Sequence, residues 1–158
     1  MMRRVGLVVL LGVVVVSSGR ADCGFSARVS LPYRETVHDV WVVGEDLWVA
    51  TSTGVVLYDR STDPPAPRAG ISLPDLTRRV RASADHAWVA SGTRLFRIDR
   101  QSPSRAAGSI DLGSTIFDLH LLDPYLYAAT GNGVVQIDLF DPVDPFVNAV
   151  LQTGTGRA

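Results

Sequence analysis

Three stretches of this chain repeat one another at a fixed interval: LWVATSTGVVLYD, which ends at Asp59, AWVASGTRLFRID, which ends at Asp99, and LYAATGNGVVQID, which ends at Asp138. Their aromatic landmarks Trp48, Trp88 and Tyr127 stand 40 and 39 residues apart. From Ala50, Ala90 or Ala129 to the closing aspartate, the three align without gaps. A unit of this length cannot bury its apolar faces alone and must stack on its neighbours, and this period is that of a propeller blade. The expectation is therefore an all-β chain built from β-propeller blades of four antiparallel strands.

Turn signals divide each repeat into four short strands. The first strand is read at residues 37–43, 79–83 and 116–122. The second holds the aromatic landmark, the third ends on Asp59, Asp99 or Asp138, and the fourth lies around Ile71, Ile110 and Val150. Thr51-Ser52-Thr53-Gly54 and Thr130-Gly131-Asn132-Gly133 supply the glycines and asparagine that a tight hairpin favours. Strands this apolar on both sides need cover on both sides, which stacked blades provide. A helical reading fails because Pro, Gly and β-branched residues interrupt any 3.6-residue pattern.

The N-terminus has a different composition. Arg3 and Arg4 precede an unbroken apolar run from Val5 to Val16, followed by Ser17, Ser18 and Gly19. This order reads as a secretory signal peptide over residues 1–21, too short to span a bilayer, which takes ~20 apolar residues. It predicts an exported protein, periplasmic, cell-surface or secreted, with no membrane insertion of the mature chain. Cys23 lies near the cut, but the small apolar residues that mark a lipid-attachment site do not precede it. As the only cysteine, it can form no intrachain disulfide. Without residues 1–21 the chain has 12 arginines, no lysine and 16 acids, a balance of −4. That sign argues against nucleic acid as a partner.

The third repeat resembles the bacterial propeller repeat of the LVIVD type. Tyr127-Ala128-Ala129, the turn glycines Gly131 and Gly133, Gln136-Ile137-Asp138 and the loop Asp141-Pro142-Val143-Asp144-Pro145 follow in the family's order. The first repeat is also similar to the propeller repeats of two-component sensors, through Leu47-Trp48-Val49-Ala50-Thr51 and Gly54-Val55-Val56-Leu57-Tyr58-Asp59. The second repeat departs from both patterns, with Arg94 in the place of Gly54 and Gly133 and with Ser102-Pro103-Ser104 in the place of the acidic loop. The resemblance covers residues 37–154 and implies a surface or exported protein.

The expected organisation is a signal peptide (1–21), an N-terminal segment (22–36), blade 1 (37–74), blade 2 (75–113) and blade 3 (114–154), with residues 155–158 opening a further blade. In the N-terminal segment Val29-Ser30-Leu31-Pro32 matches Ile71-Ser72-Leu73-Pro74, as a closing strand would. Three blades fall below the ~4 to 8 of a closed ring. The expectation is thus an incomplete or truncated propeller. The rival is self-association of two chains into one ring, and the extra N-terminal strand counts against it.

Chemistry-bearing patterns are sparse. His38 and His120 lie in first strands close to Asp39 and Asp118, and such a pair suits a general base. The two acids occupy the same repeat position, however, so a structural role in each blade accounts for both, and no nucleophile elbow, zinc motif or phosphate loop accompanies them. Asp138, Asp141 and Asp144 are spaced like calcium ligands but lack the DxDxDG loop. A turn-capping role for Asp59, Asp99 and Asp138 is simpler. No catalytic residue, metal or cofactor is assigned. A binding face is expected on the rim formed by the loops between fourth and first strands and between second and third strands. The candidates there are Tyr33, Arg34, Glu35, His38, Thr53, Arg78, Arg79, Arg94 and Asn132. Trp48, Trp88 and Tyr127 are read as packing positions between blades. The preferred function is a non-enzymatic binding or scaffold module for a protein or glycan partner. The alternatives are a fragment of a lactonase-like or quinoprotein-like enzyme, or of the periplasmic sensor domain of a signalling receptor.

Overall fold

The structure, a computed structural model, describes residues 35–152. The signal-peptide, lipidation and closing-strand expectations, together with Tyr33 and Arg34, lie outside the described residues. Those residues are all-β and form three four-stranded antiparallel sheets. Blade 1 comprises β1 (Val37–Val43), β2 (Asp46–Thr51), β3 (Gly54–Asp59) and β4 (Ala66–Ser72). Blade 2 comprises β5 (Thr77–Ala82), β6 (His86–Ser91), β7 (Arg94–Asp99) and β8 (Gly108–Asp111). Blade 3 comprises β9 (Ile116–Leu122), β10 (Tyr125–Thr130), β11 (Gly133–Asp138) and β12 (Phe146–Leu151). In each sheet the strands lie in sequence order, and the first strands β1, β5 and β9 pack side by side along the inner edge.

Side chains alternate across each sheet, and the alternation builds two cores. One face of blade 1, carrying Trp48, Ala50, Val55 and Leu57, meets the face of blade 2 that carries Val80, Ala82, Ala87, Val89, Phe96 and Ile98. The opposite face of blade 2, with Trp88, Ala90 and Leu95, meets Ile116, Leu119, Leu126, Ala128, Val135 and Ile137 of blade 3. The middle blade is thus covered on both sides. In its β6 every residue after His86 is buried, whereas in β10 only Leu126 and Ala128 are. Each landmark tryptophan, about 1–2% exposed, contributes on the order of 3 kcal/mol through apolar burial.

Polar contacts sew the first two blades together. Asp46, almost wholly buried at the start of β2, accepts Arg68 Nη1 of its own blade at 2.8 Å. It also accepts Arg100 Nε and Nη2 of blade 2 at 2.8 and 2.6 Å. Arg100 in turn donates through Nη1 to the carbonyls of Ser83 and Ala84. At the inner edge Trp41 Nε1 donates to the Ala82 carbonyl at 3.0 Å, and Arg81 lies over the Trp41 ring at 4.7 Å.

The first strand of blade 2 starts two residues before the alternation suggests, at Thr77, and the reason recurs throughout the molecule. In all three blades the pairing of first and second strands skips one residue: between Val37 and Asp39, between Thr77 and Arg79, and between Ile116 and Asp118. The unpaired residues His38, Arg78 and Phe117 form β-bulges at one common register.

Candidate functional site

The three bulges gather the charged and aromatic side chains of the inner edge at one mouth. A bulge turns its extra side chain away from the ladder and frees it for other contacts. Here the extra residue is an imidazole in blade 1, a guanidinium in blade 2 and a phenyl ring in blade 3. His38 Nε2 lies 3.3 Å from Ser52 Oγ on the adjoining β2–β3 turn. Arg78 lies over the Phe117 ring at 5.9 Å, which joins blades 2 and 3 by a cation–π contact. Arg79 Nη1 donates to the Arg78 carbonyl at 2.9 Å and to the His38 carbonyl at 3.5 Å, so one guanidinium ties two bulges together.

Below the bulges, acids and arginines alternate from blade to blade. Asp39, Arg79 and Asp118 occupy equivalent registers, opposite Ala50, Ala90 and Ala129. Asp39 Oδ2 accepts the Val80 backbone N–H at 3.1 Å and Arg81 Nη1 at 2.6 Å. Asp118 Oδ1 accepts Arg79 Nε at 2.9 Å and its neighbour's Leu119 N–H at 2.9 Å, with Arg81 Nη2 at 3.5 Å. Burial pushes the Asp118 carboxyl up, but the hydrogen bonds from Arg79 and Leu119 and the charges of Arg79 and Arg81 outweigh it and hold the group below the usual aspartate range. The acids beside His38 and His120 therefore bind arginines of the ladder.

The remaining rim candidates lie on the loops around this mouth. Backbone bonds lock each β2–β3-type turn to the start of its own first strand: Ser52 N–H to Thr36, Gly92 N–H to Leu76 and Gly131 N–H to Thr115. Thr53 Oγ1 donates to Glu35 Oε1 at 2.7 Å. Hydrogen bonds from Thr51 and Thr53 hold the exposed Glu35 carboxyl below its ordinary value. Arg94 Nε lies 3.6 Å from Asp111 Oδ2, and the Asn132 N–H donates to Thr130 Oγ1 at 3.3 Å. The structure thus brings His38, Arg78 and Arg79 together, while Glu35 with Thr53, Arg94 and Asn132 occupy separate loops of the same rim. Phe117, Arg81 and Trp41 complete the mouth. The sequence carried a signal for one of them, Arg81, which follows two places after Arg79 in a series where residues 39, 79 and 118 alternate in charge.

The aspartates that close the third strands differ in their contacts. Asp59 Oδ1 accepts the Ser61 N–H and Asp138 Oδ1 the Phe140 N–H, both at 2.8 Å. Asp99 Oδ1 faces His86 Nε2 at 3.5 Å and Arg97 Nε at 3.3 Å. Asp141 Oδ1 accepts the Val143 N–H at 2.9 Å, as a turn acid does. Arg97, 8% exposed, also donates to the Pro142 carbonyl, and beside it a groove of about 190 Å³ opens between blades 2 and 3, lined by Trp88, Leu95, Ile110, Val143 and Pro145.

No protein-family model matches the sequence, and none of the curated proteins matches it. Solved structures do match. Kluyveromyces lactis Hsv2 superposes with a TM-score of 0.54 at 14% identity, over 75% of this chain and 37% of its own. The N-terminal domain of Nup159 gives 0.55 at 8% identity, over 84% of this chain and 34% of its own. The dihydro-heme d1 dehydrogenase NirN, solved in complex with DHE, gives 0.56 at 18% identity, over 76% and 30%. The chain spans about a third of the length of these neighbours, and at such identities the likeness is one of fold. The neighbours are β-propeller proteins, and residues 35–152 are an open array of three propeller blades.

Proposed function

We propose that this chain is an exported propeller module, built from repeats of the LVIVD type, that binds a protein or glycan partner at its rim without chemically changing it. The observation that carries the reading is the common bulge. One backbone device, repeated at the same register, projects three different side chains, His38, Arg78 and Phe117, around one mouth. A constant frame with varied chemistry suits recognition, where an aromatic ring supplies contact area and a guanidinium supplies directed hydrogen bonds. The acids of the inner strands are engaged by arginines rather than by the histidines, which favours binding over general-base catalysis.

The test is to probe a soluble-glycan array and a peptide array with the purified chain and with Arg78→Ala and Phe117→Ala. Binding that drops about tenfold in each variant, near the 1.4 kcal/mol of a modest interface contact, supports the assignment. Turnover of any lactone or sugar substrate that disappears in His38→Ala or His120→Ala would replace it with the enzymatic reading.

A further inference from the structure

The two interfaces between blades use the same repeat positions but fill them differently. Leu57 of blade 1 lies in the core shared with blade 2. Its equivalent in blade 2, two residues before the closing aspartate, is Arg97, and this guanidinium is buried on the side of blade 3. On the facing sheets, Phe96 of blade 2 shares the first core with Trp48, whereas its equivalent in blade 3, Val135, shares the second core with Trp88. The second interface thus holds a charge where the first holds an alkyl group, and an isopropyl group where the first holds a phenyl ring. The groove of about 190 Å³ opens at this second interface.

Arg97 is balanced in charge but not in hydrogen bonds. Nη1 donates to the Pro142 carbonyl, while Nε lies 3.3 Å from Asp99 Oδ1. Both Nε and Asp99 Oδ1 are buried and neither makes a hydrogen bond, and Nη2 has no partner among the described residues. A buried donor without an acceptor is unfavourable, and the groove that Arg97 lines is where an acceptor can reach the guanidinium. Two further polar groups line the groove, the Ser109 hydroxyl on β8 and the Asp144 carboxylate on the loop between β11 and β12. Neither side chain has a partner among the described residues. The remaining sides are largely apolar, with Trp88 and Leu95 from blade 2 facing Val143 and Pro145 from blade 3.

These features narrow the ligand. An anion would meet the carboxylates of Asp99 and Asp144, and a cation would meet the guanidinium. A neutral ring that carries several hydroxyl groups suits both kinds of surface: its oxygens accept from Arg97, its hydroxyl hydrogens reach Asp144, and its C–H groups lie on the apolar sides. The groove is smaller than the ~300 Å³ at which sites for drug-sized ligands begin, so it accommodates one ring and not an extended chain.

We propose that the groove between blades 2 and 3 is a binding site for one neutral pyranose unit, whose hydroxyl groups accept from Arg97 and Ser109 and donate to Asp144. The site is separate from the mouth formed by the bulges. The loop that carries Asp144 leaves β11 at Asp138, the end opposite the turn at Gly133, so the ligand approaches from the other end of the strands. The assignment does not depend on what the rim binds.

The three tryptophans separate the outcomes of the test. Trp88 lines the groove, Trp41 belongs to the mouth and Trp48 lies in the other interface. The assigned indole N–H signals of the ¹⁵N-labelled full chain are followed by nuclear magnetic resonance. The ligands are methyl α-D-glucopyranoside, methyl β-D-galactopyranoside and N-acetylglucosamine, with glucuronate and leucine as charged comparisons. The expected result is that a neutral sugar shifts the Trp88 signal with a Kd of about 1 mM and leaves Trp41 in place, with glucuronate and leucine about tenfold weaker. The Kd rises about tenfold in Arg97→Leu and about threefold in Ser109→Ala. Arg97→Leu installs the side chain that blade 1 carries at this position, and Ser109, exposed on β8, keeps the test open should that variant fail to fold. Four outcomes overturn the proposal: no neutral sugar moves Trp88, glucuronate or leucine binds more tightly than the neutral sugars, the folded variants bind as the native chain does, or the shifts are confined to Trp41. The last would place the sugar at the mouth and leave the rim reading standing.

Discussion

Asp46 gathers three guanidinium hydrogen bonds on one buried carboxylate. It accepts from Arg100 across the interface and from Arg68, the unpaired residue where β4 meets β3. Removing the acceptor strands the Arg100 guanidinium, so Asp46→Ala is expected to lower stability by about 3 kcal/mol, read from urea unfolding, with Arg68→Ala far milder because the Arg68 side chain is 44% exposed and reaches water. Asp118 gives the opposite kind of test. Its carboxyl is held below the ordinary value of 3.8, so it binds a proton less readily folded than unfolded. Its contribution is complete above that ordinary value and is lost as pH falls through the lower folded value. Glu35, Asp59 and Asp111 are lowered too, through hydrogen bonds, and carry the same sign. The urea midpoint should therefore fall between about pH 5 and pH 2, and Asp118→Asn should flatten part of that fall.

Among the elements, the outer strands are held by close backbone approach at two glycines. A Cβ on Gly133, whose φ is +123°, would sit 2.3 Å from the Leu151 carbonyl oxygen, and one on Gly54 would sit 1.9 Å from that of Ile71. Gly133→Ala is expected to cost about 2 kcal/mol and to raise hydrogen exchange in β12 ahead of the other strands, since the clash pushes away the strand that pairs there. The strands themselves were legible because a 40-residue period and two-residue alternation coincide in every blade. The bulges were not, because one unpaired residue leaves composition unchanged and merely shifts the alternation, as happened before Arg79. The Asp39–Arg81 pair was hidden for a related reason. Its partners are 42 residues apart and meet only once both strands and the stacking of blades are fixed.

For the molecule as a whole, position in the stack sets the value of a residue more than its type does. Trp88→Ala removes a ring enclosed between two blades and should cost about 4 kcal/mol, whereas Tyr127→Ala, at the same repeat position with one side open, should cost about 1 kcal/mol. Thermal and urea unfolding of the two variants measure the difference. The aromatic period marked all three as equivalent, because repeats encode a blade and its neighbours alike and are silent on which neighbour is present. The rim was legible as a set of loops, through the glycine turns at Gly54 and Gly133, but its mouth was not, since three bulges assemble it from three separate strands. That assembly makes the mouth interchangeable. His38, Arg78 and Phe117 take no part in the first-strand ladder, so exchanging them leaves the cross-strand register untouched. Selection can rewrite the letters at this opening, His38 alone and Arg78 with Phe117 as a stacked pair, while the spelling of the blades around them stays fixed.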